Sequence, residues 1–127
     1  MISFKNKKIL VTGATGGIGR EIIKKFASLE GNIVATGTSL ERLDLLKKDF
    51  PNVNVIKFDI LDHSKIEKFI NNASTQLTGL DILINNAGTN MDNLSLRMKD
   101  EEWKKVIDIN LTSTFLLSKY AIKKMLK

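Results

Sequence analysis

The 127-residue chain contains no cysteine. Neither a disulfide framework nor a thiolate metal site is therefore open to it. It has a single histidine, His63, so two imidazoles cannot share a metal, and no metal site is expected. No apolar run approaches the ~18 residues that a membrane span needs. The opening Met-Ile-Ser-Phe-Lys-Asn-Lys-Lys lacks the apolar stretch of a signal peptide. The expectation is a soluble, cytoplasmic protein without membrane association. Arginine is scarce, at 3 residues against 17 lysines within a net charge of +6. Because arginine is the residue that forks onto guanine and phosphate, this basicity reads as a lysine-rich solvated surface rather than a nucleic-acid interface. Attraction for an acidic partner stays open. The length fits one domain, and 43% apolar residues supply a core.

What is present alternates. Strands are expected over residues 7–12, 32–37, 53–58 (after the lone Pro51) and 81–84. Helices are expected over 17–29 and 40–48, then from Ser64 onward, where Glu67 three residues later completes a capping box. Ile66, Phe69, Ile70, Ala73 and Leu77 supply the buried face of that third helix. Two more helical stretches follow, about 99–110 and 111–127. Strands alternating with helices specify a parallel sheet, so the expected class is α/β, a Rossmann-like doubly wound sheet. The sequence reaches Lys127 inside an amphipathic pattern, which suggests a domain truncated after its fourth strand and the following helices. Residues 1–127 would then be the N-terminal part of such a domain.

The segment Thr12-Gly13-Ala14-Thr15-Gly16-Gly17-Ile18-Gly19 joins the first strand to the first helix. Strand, glycine turn and helix in that order form a dinucleotide cradle. Gly13 permits the sharp turn, Gly17 close approach of a pyrophosphate, and Gly19 close packing of the helix. The helix offers unpaired N–H groups and the positive end of its dipole to phosphates.

Four separated segments together resemble the short-chain dehydrogenase/reductase family: Thr12-Gly13-x-x-x-Gly17-x-Gly19, Asp59-Ile60, Asn85-Asn86-Ala87-Gly88 and Asn110. The stretch from Asp92 to Trp103 looks like the matching segment of bacterial 3-oxoacyl-[acyl-carrier-protein] reductases within it. The resemblance implies that the backbone of Gly13, Gly17, Ile18 and Gly19 holds the pyrophosphate of a cofactor, with Thr15 also cofactor-binding. It implies that Asp59 receives the adenine amino group beside Ile60, and that Asn86, Ala87 and Gly88 form the floor under a ribose. Asn110 is the implied catalytic-site residue, through a water held on its backbone carbonyl. It further implies NADPH-dependent reduction of a 3-oxoacyl carrier-protein thioester in fatty acid synthesis, with an acyl carrier protein as partner and a homotetramer as assembly. Other short-chain reductases, acting on a sugar or small ketone, and a non-catalytic nucleotide-binding module are the alternatives.

The family's Ser, Tyr and Lys lie beyond the matching half, so the chain alone is expected to be inactive. Tyr120 and Lys124 have the right spacing of four, but no strand separates them from Asn110, and Tyr120 reads as structural. His63 reads as part of a solvated cap, and Asp100, Glu101 and Glu102 as acids facing a helix dipole. Trp103, Val106, Ile107 and Leu111 read as a buried stripe or a subunit contact. No carboxylate stands at Thr36-Gly37-Thr38-Ser39, where NADH-preferring relatives carry one. With Arg42 nearby, this favours NADPH at Thr38, although Gly16 replaces the arginine of many NADP-using relatives.

Overall fold

The structure is a computed structural model that describes residues 2–88 and 97–127. Residues 92–96 of the stretch compared above lie outside the described residues. The elements run β1 (Lys8–Val11), α1 (Gly17–Ser28), β2 (Asn32–Gly37), α2 (Leu40–Asp49), β3 (Asn54–Lys57), a 3₁₀ turn (His63–Lys65), α3 (Ile66–Leu77), β4 (Ile82–Ile84), α4 (Asp100–Ile107), a π turn (Asp108–Ser113) and α5 (Thr114–Met125). The strands form one parallel sheet in the order β3-β2-β1-β4.

Side chains on the two central strands alternate between two cores. Ile9 and Val11 of β1 and Ile33 and Ala35 of β2 pack with Ile23 of α1 and Leu46 of α2. Leu10 and Val34 point the other way, into Phe69, Ile70 and Ala73 of α3 and Leu117 and Ala121 of α5. With both faces covered, these strands need near-continuous apolar runs, and Ile9-Leu10-Val11 and Ile33-Val34-Ala35 supply them. The sheet is therefore doubly wound, as its alternating sequence indicates. The chain moves outward from β1 to β2 and β3, then returns to place β4 on β1's other side. Such a reversal opens a crevice at the carboxyl ends of the strands.

Three local expectations are corrected. The Ser64–Glu67 capping box does not form. Residues 63–65 tighten into a 3₁₀ turn instead, α3 starts at Ile66, and Ser64 Oγ donates to Asp62 Oδ1 at 3.3 Å. The two final helical stretches are not simple neighbours, because a π turn joins α4 to α5. The stripe on α4 is not buried within this chain. Trp103 of α4 is 60% exposed and Leu111 of the π turn 63%, and α4 has no buried residue. Asp100, Glu101 and Glu102 do occupy the first turn of α4, where the dipole favours them. Among the described residues no helix is long and apolar enough to cross a membrane.

The packing separates two leucines. Leu117 of α5 is 1% exposed in the second core, whereas Leu45 of α2 is 54% exposed. Leu117→Ala should lower unfolding stability by about 2–5 kcal/mol. Leu45→Ala should change it by less than about 0.5 kcal/mol. Urea unfolding with unchanged slope checks both, and equal losses would contradict the docking of α5.

Candidate functional site

The loop after β1 is shaped by what its glycines lack. Gly13 has φ +60, and a Cβ placed on it would stand 2.8 Å from both Cα and N of Ala87. A Cβ on Gly19 would stand 2.0 Å from the Gly13 carbonyl oxygen and 2.9 Å from Asn86 Nδ2. Neither position admits any other residue without moving backbone. Gly17 differs, because a Cβ there would meet nothing within 4 Å. The protein itself does not require a glycine at 17. The space in front of it opens into the crevice.

A buried threonine ties this loop to β4. Thr12 is 1% exposed. Its hydroxyl oxygen accepts the N–H groups of Asn86 and Ala87, each at 3.1 Å, while the Thr12 N–H donates to the Ile84 carbonyl at 3.1 Å. Asn86 answers from the other side, its Nδ2 donating to the Gly13 carbonyl at 3.0 Å. The exposed Asn85 turns away and donates to Ser118 Oγ of α5 at 3.1 Å. The pair Asn85-Asn86 therefore fastens the end of β4 both to the glycine loop and to a helix.

These contacts line a cavity of about 440 Å³ along the carboxyl ends of all four strands. Every residue named from the sequence as cofactor-binding borders it: Gly13, Thr15, Gly17, Ile18, Gly19, Thr38, Asp59, Ile60, Asn86, Ala87 and Gly88. Thr36, Phe58 and Ile109 also line it. Periodicity alone had marked Phe58 only as the end of a strand. Its ring stacks on Phe69 of α3 with centroids 4.3 Å apart, which fixes the wall beside Asp59. Three strand-to-strand spacings put the cavity's span near 14 Å. That length and an openness at Gly17 suit an extended ligand lying across the strand ends.

The electrostatics of the cavity come mainly from backbone. Gly16 caps α1 without a side-chain hydrogen bond, and the first turn of α1 carries no acid. The amide groups that open this helix therefore face the cavity with the dipole's positive end. Asp59 is the one charged side chain among the described lining residues, and its Oδ1 accepts the Leu61 N–H at 3.0 Å. Arg42, expected near an anionic ligand, is not among those lining residues. Its backbone N–H donates to Ser39 Oγ at 3.3 Å, which engages Ser39 in capping α2. Arg20 is also turned elsewhere, paired with Asp49 and lying over the Phe50 ring.

Asn110 sits in the π turn rather than in the cavity wall, with its Oδ1 3.0 Å from where a Gly88 Cβ would be. His63 does not form a solvated cap. It is half-buried, and its Nε2 lies 2.9 Å from the hydroxyl of the fully buried Ser113. No feature of the local sequence marks this pair, whose members are fifty residues apart. Tyr120 and Lys124 border a different cavity, with Glu67 and Asn71 of α3. Tyr120 packs against the second core, as expected of a structural residue.

Residues 7–127 match the family model described as short chain dehydrogenase. The chain is 37% identical over 131 aligned residues to the 3-oxoacyl-[acyl-carrier-protein] reductase of Aquifex aeolicus, covering 99% of this chain and 53% of that protein. It is 40% identical over 128 residues to the reductase of the same name from Rickettsia conorii, covering 100% and 52%. A short-chain dehydrogenase/reductase from Brucella melitensis described as a glucose/ribitol dehydrogenase superposes with a TM-score of 0.91 at 31% identity, over 98% of this chain and 54% of that one. A short-chain dehydrogenase/reductase variant from Serratia marcescens gives 0.92 at 26% identity, over 98% and 53%. The chain spans about half the length of the curated relatives it matches.

The Thr12 hydroxyl provides a direct test of how the cavity floor is held. Thr12→Val keeps the shape but removes the acceptor of two N–H groups. We expect a loss of about 1–3 kcal/mol in unfolding stability, together with weakened nucleotide binding, whereas Thr12→Ser should retain most of both. A Thr12→Val protein as stable as the parent would contradict this role.

Proposed function

Because the chain belongs to the short chain dehydrogenase family, we propose that it is the cofactor-binding half of an NADPH-dependent 3-oxoacyl-[acyl-carrier-protein] reductase. The observation that carries this reading is the cavity in which the glycine loop, Asp59-Ile60 and Asn86-Ala87-Gly88 converge. The family's cofactor is a nicotinamide dinucleotide, which supplies a hydride when bound. The residues present fit it. The open space at Gly17 and the uncapped start of α1 would take the pyrophosphate through Gly17, Ile18 and Gly19. Asp59, oriented by the Leu61 N–H, would accept the adenine amino group beside Ile60. Asn86, Ala87 and Gly88, held by Thr12, would form the ribose floor. Asn110 would hold water on its carbonyl.

NADPH rather than NADH is the proposed cofactor because no carboxylate stands on Gly37 or Thr38, both of which line the cavity. With Arg20 paired to Asp49 and Arg42 not among the described lining residues, the preference rests on the lack of a repelling acid, with Thr38 and Thr15 receiving the 2′-phosphate. An acidic acyl carrier protein suits the chain's net charge of +6. The family's Ser, Tyr and Lys are not represented by Tyr120 and Lys124, so this half would bind cofactor without turning over substrate. The exposed Trp103, Leu111, Phe115 and Ile122 support assembly as a homotetramer through this face. A sugar or small-ketone reductase is the second reading, favoured by the likeness to the Brucella melitensis glucose/ribitol dehydrogenase.

In the intact reductase, NADPH absorbance should fall on addition of an acetoacetyl thioester and not on addition of ribitol-type or glucose-type substrates' keto forms. Turnover of the sugars alone would select the second reading. Thr38→Asp should move the NADPH-to-NADH affinity ratio toward NADH by at least about tenfold, or 1.4 kcal/mol. Tighter binding of NADH by the unmodified protein in calorimetry would overturn the cofactor assignment.

A further inference from the structure

The His63–Ser113 contact joins two segments that the proposed function leaves separate. Ser113 is fully buried at the end of the π turn. Its Oγ lies 2.7 Å from the Ile60 carbonyl oxygen, 2.7 Å from the Asp108 carbonyl oxygen and 2.9 Å from His63 Nε2. A serine hydroxyl has one hydrogen and two lone pairs. Two carbonyl oxygens at 2.7 Å can only accept, so the hydroxyl's single hydrogen is directed at them. Its lone pair must then accept a hydrogen from the imidazole. The geometry therefore places the His63 hydrogen on Nε2. With the hydrogen on Nδ1 alone, Nε2 would compete for the serine hydrogen and leave both carbonyls against a bare oxygen.

What this bond holds together is specific. Ile60 and His63 belong to the loop after β3, which Asp59 organises by accepting the Leu61 N–H through its carboxylate and the Asp62 N–H through its carbonyl, each at 3.0 Å. Asp108 and Ser113 are the two ends of the π turn, and Asn110 stands inside it against Gly88. A π turn is a one-turn widening of a helix and is frequent at functional sites. The Ser113 hydroxyl reaches the carbonyl five residues back, across the widened ring, while His63 fixes the hydroxyl from the neighbouring loop.

We propose that His63 and Ser113 are positioning residues that lock the adenosine-facing loop 59–63 to the π turn 108–113 and thereby set where Asn110 stands. This rests on the reading that Asp59 and Asn110 serve one cofactor site. Occupancy of the adenosine end is then felt at Asn110 through two hydrogen bonds, without contact between Asn110 and the adenosine.

The test uses the 127-residue chain, with ¹⁵N-histidine labelling and amide hydrogen exchange, and ADP as the probe. We expect the His63 hydrogen on Nε2. In His63→Leu and Ser113→Ala, amide exchange at residues 108–113 should accelerate at least tenfold while β1 and α3 stay protected. His63→Gln, which keeps an N–H near the Nε2 position, should restore protection. ADP should slow exchange at 108–113 in the parent and in His63→Gln, but not in His63→Leu. A hydrogen on Nδ1 alone, unchanged exchange in both deletion variants, or an equal response to ADP in all of them would overturn the proposal. If ADP leaves residues 12–19 and 59–61 of the parent unaffected, the cofactor reading fails instead, and exchange without ligand still decides the lock.

Discussion

The carbonyl oxygen of Gly13 is the point on which the rest of the site depends. Asn86 Nδ2 donates to it at 3.0 Å, and Gly19 passes so near that a methyl group would overlap it at 2.0 Å. The first fixes the end of β4, the second the start of α1. A strand end and a helix start are thus held within one residue's width of the same atom. This is possible only because positions 13 and 19 carry no Cβ. Everything the cavity offers a ligand follows from that closeness: the α1 amides face inward, and Asn86-Ala87-Gly88 form the opposite floor.

The division between backbone and side chain in this cavity has a physical consequence. Its described lining carries one charge, Asp59, although the chain as a whole is basic. Phosphate groups would be met by amide dipoles fixed in place by the fold, which need no reorganisation when a ligand arrives. Arg20 is engaged with Asp49 and Phe50, and Arg42 is not among the described residues that line the cavity. No lysine is among the described residues that line the cavity.

The fold and most of the cavity were legible in the sequence because their signals are local. Ile9-Leu10-Val11, short and followed by glycines at 13, 17 and 19, reads as a strand buried on both faces. Asp59 and Asn86 follow strands directly, so their place at the carboxyl ends came with the strand assignment. What the sequence hid depends on distant partners. Thr12 reads as one residue of a motif, yet its hydroxyl serves two amides more than seventy residues away. His63 looked like a cap residue because its partner, Ser113, lies across the fold. For Trp103 the sequence left burial and a subunit contact open, because an apolar helical stripe looks the same whether its cover is in the chain or outside it; the structure leaves it 60% exposed. Arg42 is close in sequence to the site but is not among the described residues that line it.

The central claim is that a dinucleotide lies across the strand ends on the Gly13 carbonyl hub. Backbone amide shift mapping of the isotopically labelled chain with NADPH tests it most directly. The account predicts shifts concentrated at Gly13 to Gly19, at Asp59 and Ile60, and at Asn86 to Gly88. Shifts centred instead on Tyr120, Lys123 and Lys124, or none at millimolar NADPH, would contradict it.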